Sequence, residues 1–131
     1  MKTSRILLVE DEINIAISFS RALQLGLGHG FWVETSLSAE AALYALQKRT
    51  FDLLIADHHL PSMPGLDLIQ KALQLSPQLK TILMANTPNA QLEAQANQLA
   101  TIFVAKPVNV AHFVALVHEL FHLGKEYHDE A

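Results

Sequence analysis

Leu53-Leu54-Ile55-Ala56-Asp57 is the stretch that decides the fold. Four apolar residues run without a polar interruption and close on a carboxylate. A short unbroken apolar run of this kind reads as a strand buried on both faces, because a half-exposed strand would alternate. The same cadence occurs at Ile6-Leu7-Leu8-Val9, closed by Glu10-Asp11, and at Ile102-Phe103-Val104-Ala105, closed by Lys106-Pro107. In open α/β sheets, ligands bind beyond the carboxyl ends of the strands. The pattern therefore gathers Glu10, Asp11, Asp57 and Lys106 in one crevice. Three neighbouring carboxylates repel one another unless a cation joins them, which points to a magnesium-dependent phosphoryl site.

Strand-like and helix-like segments alternate outward from these runs. The strands read as Arg5–Val9, Phe31–Thr35, Phe51–Ala56, Thr81–Ala85 and Thr101–Ala105. The helices read as Ile13–Leu25, Ala39–Lys48, Leu66–Leu75, Asn89–Leu99 and Val110–Leu123. In the first helix, Ile13, Ala16, Ile17, Ser20, Leu23 and Leu27 lie near one face. Glycines 26, 28 and 30 end it, and Ser38 is the expected N-cap of the second. Pro61 and Pro64-Gly65 break the chain before the third. Five β-α units imply one α/β domain built on a single five-stranded parallel sheet with right-handed crossovers and five helices on its two faces. A strand order of 2-1-3-4-5 is expected, with the switch point between the first and third strands.

The bulk properties set limits. The 131 residues are half apolar and carry a net charge of -4, so a packed domain is expected and direct nucleic-acid binding is not. There is no cysteine, which excludes disulfides and thiolate metal sites. No apolar run approaches the roughly 18 residues of a membrane span, and the apolar run after Arg5 is too short for a signal peptide. The cytoplasm is the expected compartment, with no membrane partner.

From Arg5 to about Leu123 the chain resembles a receiver domain of two-component response regulators. Glu10-Asp11 matches the family's acidic pair. Asp57, followed by Pro61-Ser62-Met63-Pro64-Gly65, matches the phosphoacceptor and its Pro-x-Met-x-Gly turn. Lys106-Pro107 matches the Lys-Pro after the fifth strand. The resemblance implies a flavodoxin-like doubly wound fold over 1–131, with a core over 5–123 and a tail over 124–131. It also implies phosphoryl transfer to Asp57 from a histidine kinase or phosphotransfer protein. Mg2+ would be held by Asp11, Asp57 and the backbone carbonyl of His59, with Glu10 acting mostly through bound water. Lys106 would reach across the fourth strand to Asp57 or to a phosphoryl oxygen, and the Lys106-Pro107 bond would be cis. The domain would be a phosphoacceptor, not a turnover enzyme. Its switching surface would be the fourth helix, fifth strand and fifth helix, a face that could also support a homodimer. Val114 and Phe121 are candidates for exposed apolar residues there, or for core. No output domain is expected within these residues.

The chain departs from the family pattern at the fourth strand. Ala85 stands where receivers usually carry Thr or Ser, followed by Asn86 and Thr87. Either a loop shift brings Asn86 or Thr87 to the phosphoryl oxygens, or the hydroxyl is absent and coupling to shape change is weakened. Phe103 holds the aromatic switch position without a hydroxyl. His58 and His59 either tune access to the acceptor or are exposed loop side chains. His118 and His122 lie four apart on the last helix; two histidines so spaced can bind zinc, but no third ligand is evident, and a solvated face is the default.

Three other classes compete. A receiver-shaped binding module independent of phosphate is motivated by Ala85 but opposed by the intact Glu10, Asp11, Asp57 and Lys106. A flavin-binding electron carrier would need a phosphate-welcoming loop where Glu10-Asp11-Glu12 stands. A haloacid-type phosphatase normally has a second acid where this chain has His59.

Overall fold

The computed structural model describes residues 3–86 and 89–130, with residues 123–130 described by backbone alone. Five strands and five helices alternate: β1 (Ser4–Val9), α1 (Ile13–Leu27), β2 (Phe31–Ser36), α2 (Ala39–Lys48), β3 (Leu53–Asp57), α3 (Gly65–Leu75), β4 (Lys80–Asn86), α4 (Ala90–Gln98), β5 (Ile102–Lys106) and α5 (Val110–Glu130). The strands form one parallel sheet in the order β2-β1-β3-β4-β5.

Side chains alternate across the pleat, so each central strand feeds two cores. Leu7, Val9, Leu54, Ala56, Leu83 and Ala85 pack under α2, α3 and α4. Ile6, Leu8, Leu53, Ile55, Ile82 and Met84 pack under α1 and α5. Every residue of β3 is buried, which accounts for its unbroken apolar sequence.

Helices α2 and α4 start at side-chain caps. Ser38 Oγ accepts the Ala41 N–H at 3.0 Å to cap α2, and Asn89 Oδ1 accepts the Leu92 N–H at 3.1 Å to cap α4. Helix α1 runs two residues beyond the expected Leu25, through Gly26. A Cβ at Gly26 would collide with the Val114 side chain, so this glycine serves the close approach of α1 to α5. Gly28, at φ 88°, ends the helix instead.

Two expectations are corrected. The buried stripe of α1 is Ala16, Phe19, Leu23 and Leu27, while Ile13 and Ile17 are exposed. The sequence offers two overlapping stripes. The one carrying Phe19 prevails, because its ring packs on Phe113 with centroids 4.9 Å apart. Helix α5 continues to Glu130 where a tail was expected after Leu123. No proline follows, and Gly124 costs a helix only about 1 kcal/mol relative to alanine. Val114 and Phe121 both pack against the α1/α5 core, so the apolar stripe of α5 faces inward at these positions.

The amino ends of the central strands are tied together. Asp52 Oδ2 accepts the Arg5 N–H at 2.8 Å. The Asp52 N–H donates to the Arg5 carbonyl at 2.8 Å, and the Lys80 N–H donates to the Asp52 carbonyl at 3.2 Å. One residue thus joins β1 and β4 to the start of β3. Among the described residues, no helix is long and apolar enough to cross a membrane.

Candidate functional site

The carboxyl ends of β1, β3 and β5 supply the site. Asp57 and Lys106 are the last residues of their strands, where the sequence suggested strands ending one residue earlier, at Ala56 and Ala105. Val9 pairs with Ala56, so the next residue, Glu10, stands level with Asp57. One oxygen from each of Glu10, Asp11 and Asp57 lies within 4.8 Å of the others. Glu10 and Asp57 are both 3% exposed, while Asp11 is open to solvent.

Lys106 neutralises part of this charge. Its Nζ lies 3.0 Å from Asp57 Oδ2 and 4.0 Å from Glu10 Oε1. The Glu12 N–H donates to Glu10 Oε2 at 3.0 Å, and the His59 N–H donates to Asp57 Oδ1 at 3.3 Å. Burial raises the pKa of Glu10 above its ordinary 4.5, and the negative charge of Asp57 adds to the rise. The Glu12 N–H and the Lys106 ammonium act in the opposite direction without cancelling it. Glu10 thus carries its charge at a cost that a further cation would relieve. Two buried carboxylates and one open one form a hard, all-oxygen donor set suited to a magnesium ion that keeps several waters.

The loop after Asp57 folds back on the strand. The His58 N–H donates to the Met84 carbonyl at 2.8 Å, and the Gly65 N–H donates to the His58 carbonyl at 3.0 Å. A Cβ at Gly65 would strike the Asp57 carbonyl, so glycine is required for close backbone approach. Ser62 Oγ bonds the Glu40 carboxylate and ties the loop to α2.

His58 has a role that the sequence did not reveal. Its half-buried Nδ1 accepts the Leu66 N–H at 3.4 Å. The residue before α3 is Pro64, which provides no side-chain cap. Desolvation lowers the pKa of His58, with His59 acting in the same direction, and so favours the neutral ring whose Nδ1 can accept. No sequence signal marks it, because the contact is made only when the loop closes at Gly65. His59 is exposed.

Ala85 is 1% exposed and belongs to the same buried cluster that Phe103 packs against. Asn86, at the exposed end of β4, pairs in register with Lys106. Thr87 lies outside the described residues. The Lys106-Pro107 bond is cis.

The model of the response regulator receiver domain family matches residues 6–118. The DNA-binding transcriptional regulator NtrC of Salmonella typhimurium is 32% identical over 120 residues, covering 89% of this chain and 24% of that protein. The response regulator ArlR of Staphylococcus aureus is 29% identical over 118 residues, covering 89% of this chain and 52% of that protein. The chain therefore spans between about a quarter and a half of the length of these relatives. A CheY-like response regulator receiver domain protein from Methanospirillum hungatei superposes with a TM-score of 0.86 at 25% identity, over 96% of this chain and 99% of that one. This chain belongs to the response regulator receiver domain family. It is a signalling domain of the two-component type, and the flavodoxin-like fold and strand order expected from the sequence are those of its solved relative.

Proposed function

We propose that Asp57 is the phosphoacceptor of this receiver, supplied by a histidine kinase or a phosphotransfer protein. The observation that carries this reading is the Lys106–Asp57 pair at 3.0 Å beside two further carboxylates. An Asp57 oxygen attacks the phosphorus of a phosphohistidine; the P–N bond breaks and imidazole leaves. Lys106 is then placed to move from the carboxylate to a phosphoryl oxygen. Asp11, Asp57 and the His59 carbonyl would hold Mg2+, with Glu10 acting through water. When bound, the ion supplies charge neutralisation that lets two anions meet.

An apolar surface beside the site fits a protein donor. Ile13, Ile15 and Ile17 are each more than 40% exposed on α1. A groove of about 430 Å3 joins Ile15 and Phe19 to Lys106, Val108 and Val110. Exposed isoleucines at the rim of a reactive crevice suit a partner that must bring its reacting group to Asp57. The output surface is assigned to α4, β5 and α5, where it could also support a homodimer. Support comes from weak anchoring: α4 buries only Leu92 and Ala96, and no residue of β5 is fully buried. The lack of a membrane-crossing helix among the described residues agrees with a cytoplasmic site of action. A phosphate-independent binding module is not favoured, since it gives no reason for the buried acidic pair beside Lys106.

The test is incubation with Mg2+ and phosphoramidate, followed by intact-mass measurement. One added phosphoryl group is expected on the wild type and none on Asp57→Asn. No adduct on the wild type, under conditions that label a control receiver, would defeat the assignment.

A further inference from the structure

His118 and His122 stand one turn apart on α5, and both are exposed. Their ring centroids are 4.6 Å apart, with the planes inclined by 33°. The pair borders a groove of about 430 Å3 between α5 and the last turn of α1. Gly26, Ala111 and Ala115 line that groove together with Val114, so its walls beside the rings are mostly small side chains. Glu119 lines it as well and contributes a negative charge.

We propose that His118 and His122 form a two-imidazole site for a borderline transition-metal ion such as Cu2+, Ni2+ or Zn2+. Side chains at i and i+4 project from the same helix face, so both rings are brought to one ion by the helix itself. Neutral imidazole suits these metals, whereas the all-carboxylate crevice at the strand ends suits a hard cation. The two sites therefore select different ions. Among the described residues, Glu10, Asp11 and Asp57 are the only three-residue cluster of potential ligands. The histidine site thus offers two protein ligands, and water completes the coordination. By the usual order of divalent affinities, Cu2+ binds more tightly than Ni2+ or Zn2+.

The test is calorimetric titration of chelator-stripped protein with Cu2+, with Mg2+ in excess to occupy the acidic crevice. Electron paramagnetic resonance of the bound Cu2+ accompanies it. The wild type is expected to bind one ion with hyperfine structure from two nitrogens. His118→Ala and His122→Ala should each weaken that site by about a hundredfold, because the second ligand no longer acts at high effective concentration. Each should also lose one nitrogen from the spectrum. His112→Ala, on the same helix, and Asp11→Asn should leave the site unchanged. All positions except Asp11 are on the exposed face of α5, and circular dichroism verifies that the helix persists. Copper affinity and spectrum unaltered in either His118→Ala or His122→Ala would overturn the proposal. Binding that His112→Ala weakens equally would identify an adventitious ion only and overturn it as well.

Discussion

Lys106 leaves the end of β5 and reaches past the whole width of β4 to meet Asp57 on β3, Nζ to Oδ2 at 3.0 Å. Its backbone pairs with Asn86, two residues beyond Met84, the β4 partner of Asp57. The stem therefore turns back along the strand direction to reach the carboxylate. An arginine there would exchange a compact ammonium for a planar fork. The site sets this one positive charge against the three negative ones of Glu10, Asp11 and Asp57, and that imbalance governs the first expectation.

Glu10 should make the protein less stable as pH rises. Its folded pKa is raised, first by burial and then by Asp57. The folded chain therefore holds this proton more tightly than the unfolded chain, whose value is near the ordinary 4.5. Stability from this group is fully present below 4.5 and is lost as pH climbs through the folded pKa. Glu10→Gln is expected to raise the thermal midpoint at pH 7, with the difference closing as pH falls toward 4.5. Added Mg2+ should stabilise the wild type more than the variant. Midpoints measured across pH, with and without Mg2+, check both statements; a variant less stable at pH 7 without metal would contradict them.

Ala85→Thr restores the family's hydroxyl at a buried methyl position. The cluster around Ala85 and Phe103 is apolar and closed, so the larger polar side chain should cost about 1–3 kcal/mol in urea unfolding. With Mg2+ and beryllofluoride as a phosphoryl mimic, the hydroxyl gains an acceptor and the cost should shrink. An equal cost with and without the mimic would mean that position 85 does not face the phosphoryl group.

Gly65→Ala and Gly26→Ala should differ sharply although both add one methyl. At Gly65 the new carbon meets the backbone of Asp57 and His58, which cannot yield without opening the loop. A loss of about 2–4 kcal/mol is expected, together with slower phosphorylation. At Gly26 it meets only the Val114 side chain, and alanine regains about 1 kcal/mol of helix propensity. That variant should lose about 1 kcal/mol, because Val114 is β-branched and stiff at χ1 in its helix and yields only in part. Denaturant midpoints of the two proteins decide the comparison.

Thr81 and Thr101 share a buried hydrogen bond, Oγ1 to Oγ1 at 2.7 Å, at the start of β4 and just before β5. Thr81→Val leaves the Thr101 hydroxyl without that partner and should cost about 1–3 kcal/mol. Replacing both by Val keeps the shape and removes both polar groups, so the double variant should be more stable than either single one. Equilibrium unfolding of the three proteins tests the ordering.

The sequence made the architecture legible because burial on both faces leaves an unmistakable mark. Leu53–Ala56 has no polar residue, and the charges that end such runs are the site itself. Glu10, Asp11, Asp57 and Lys106 could thus be collected before any coordinates. Helix faces were less legible. Ile13 and Ile17 have the spacing of core residues, but the partner ring of Phe113, remote in sequence, settles which stripe turns inward. The contact of His58 with α3 was not legible at all, since it depends on a chain reversal that brings two backbone segments together at Gly65. Gly26 looked like a stop signal; its role as a close-packing site depends on Val114 in another helix.

The clasp at Asp52 ties the amino ends of β1, β3 and β4 together at the end of the sheet remote from Asp57. Hydrogen exchange at the Arg5 and Asp52 amides, each bonded at 2.8 Å, should therefore be slower in the wild type than in Asp52→Ala. A reporter placed beside them would stay silent while chemistry proceeds at Asp57. The same separation recommends that end for immobilisation or labelling, where tethering leaves the reactive rim free.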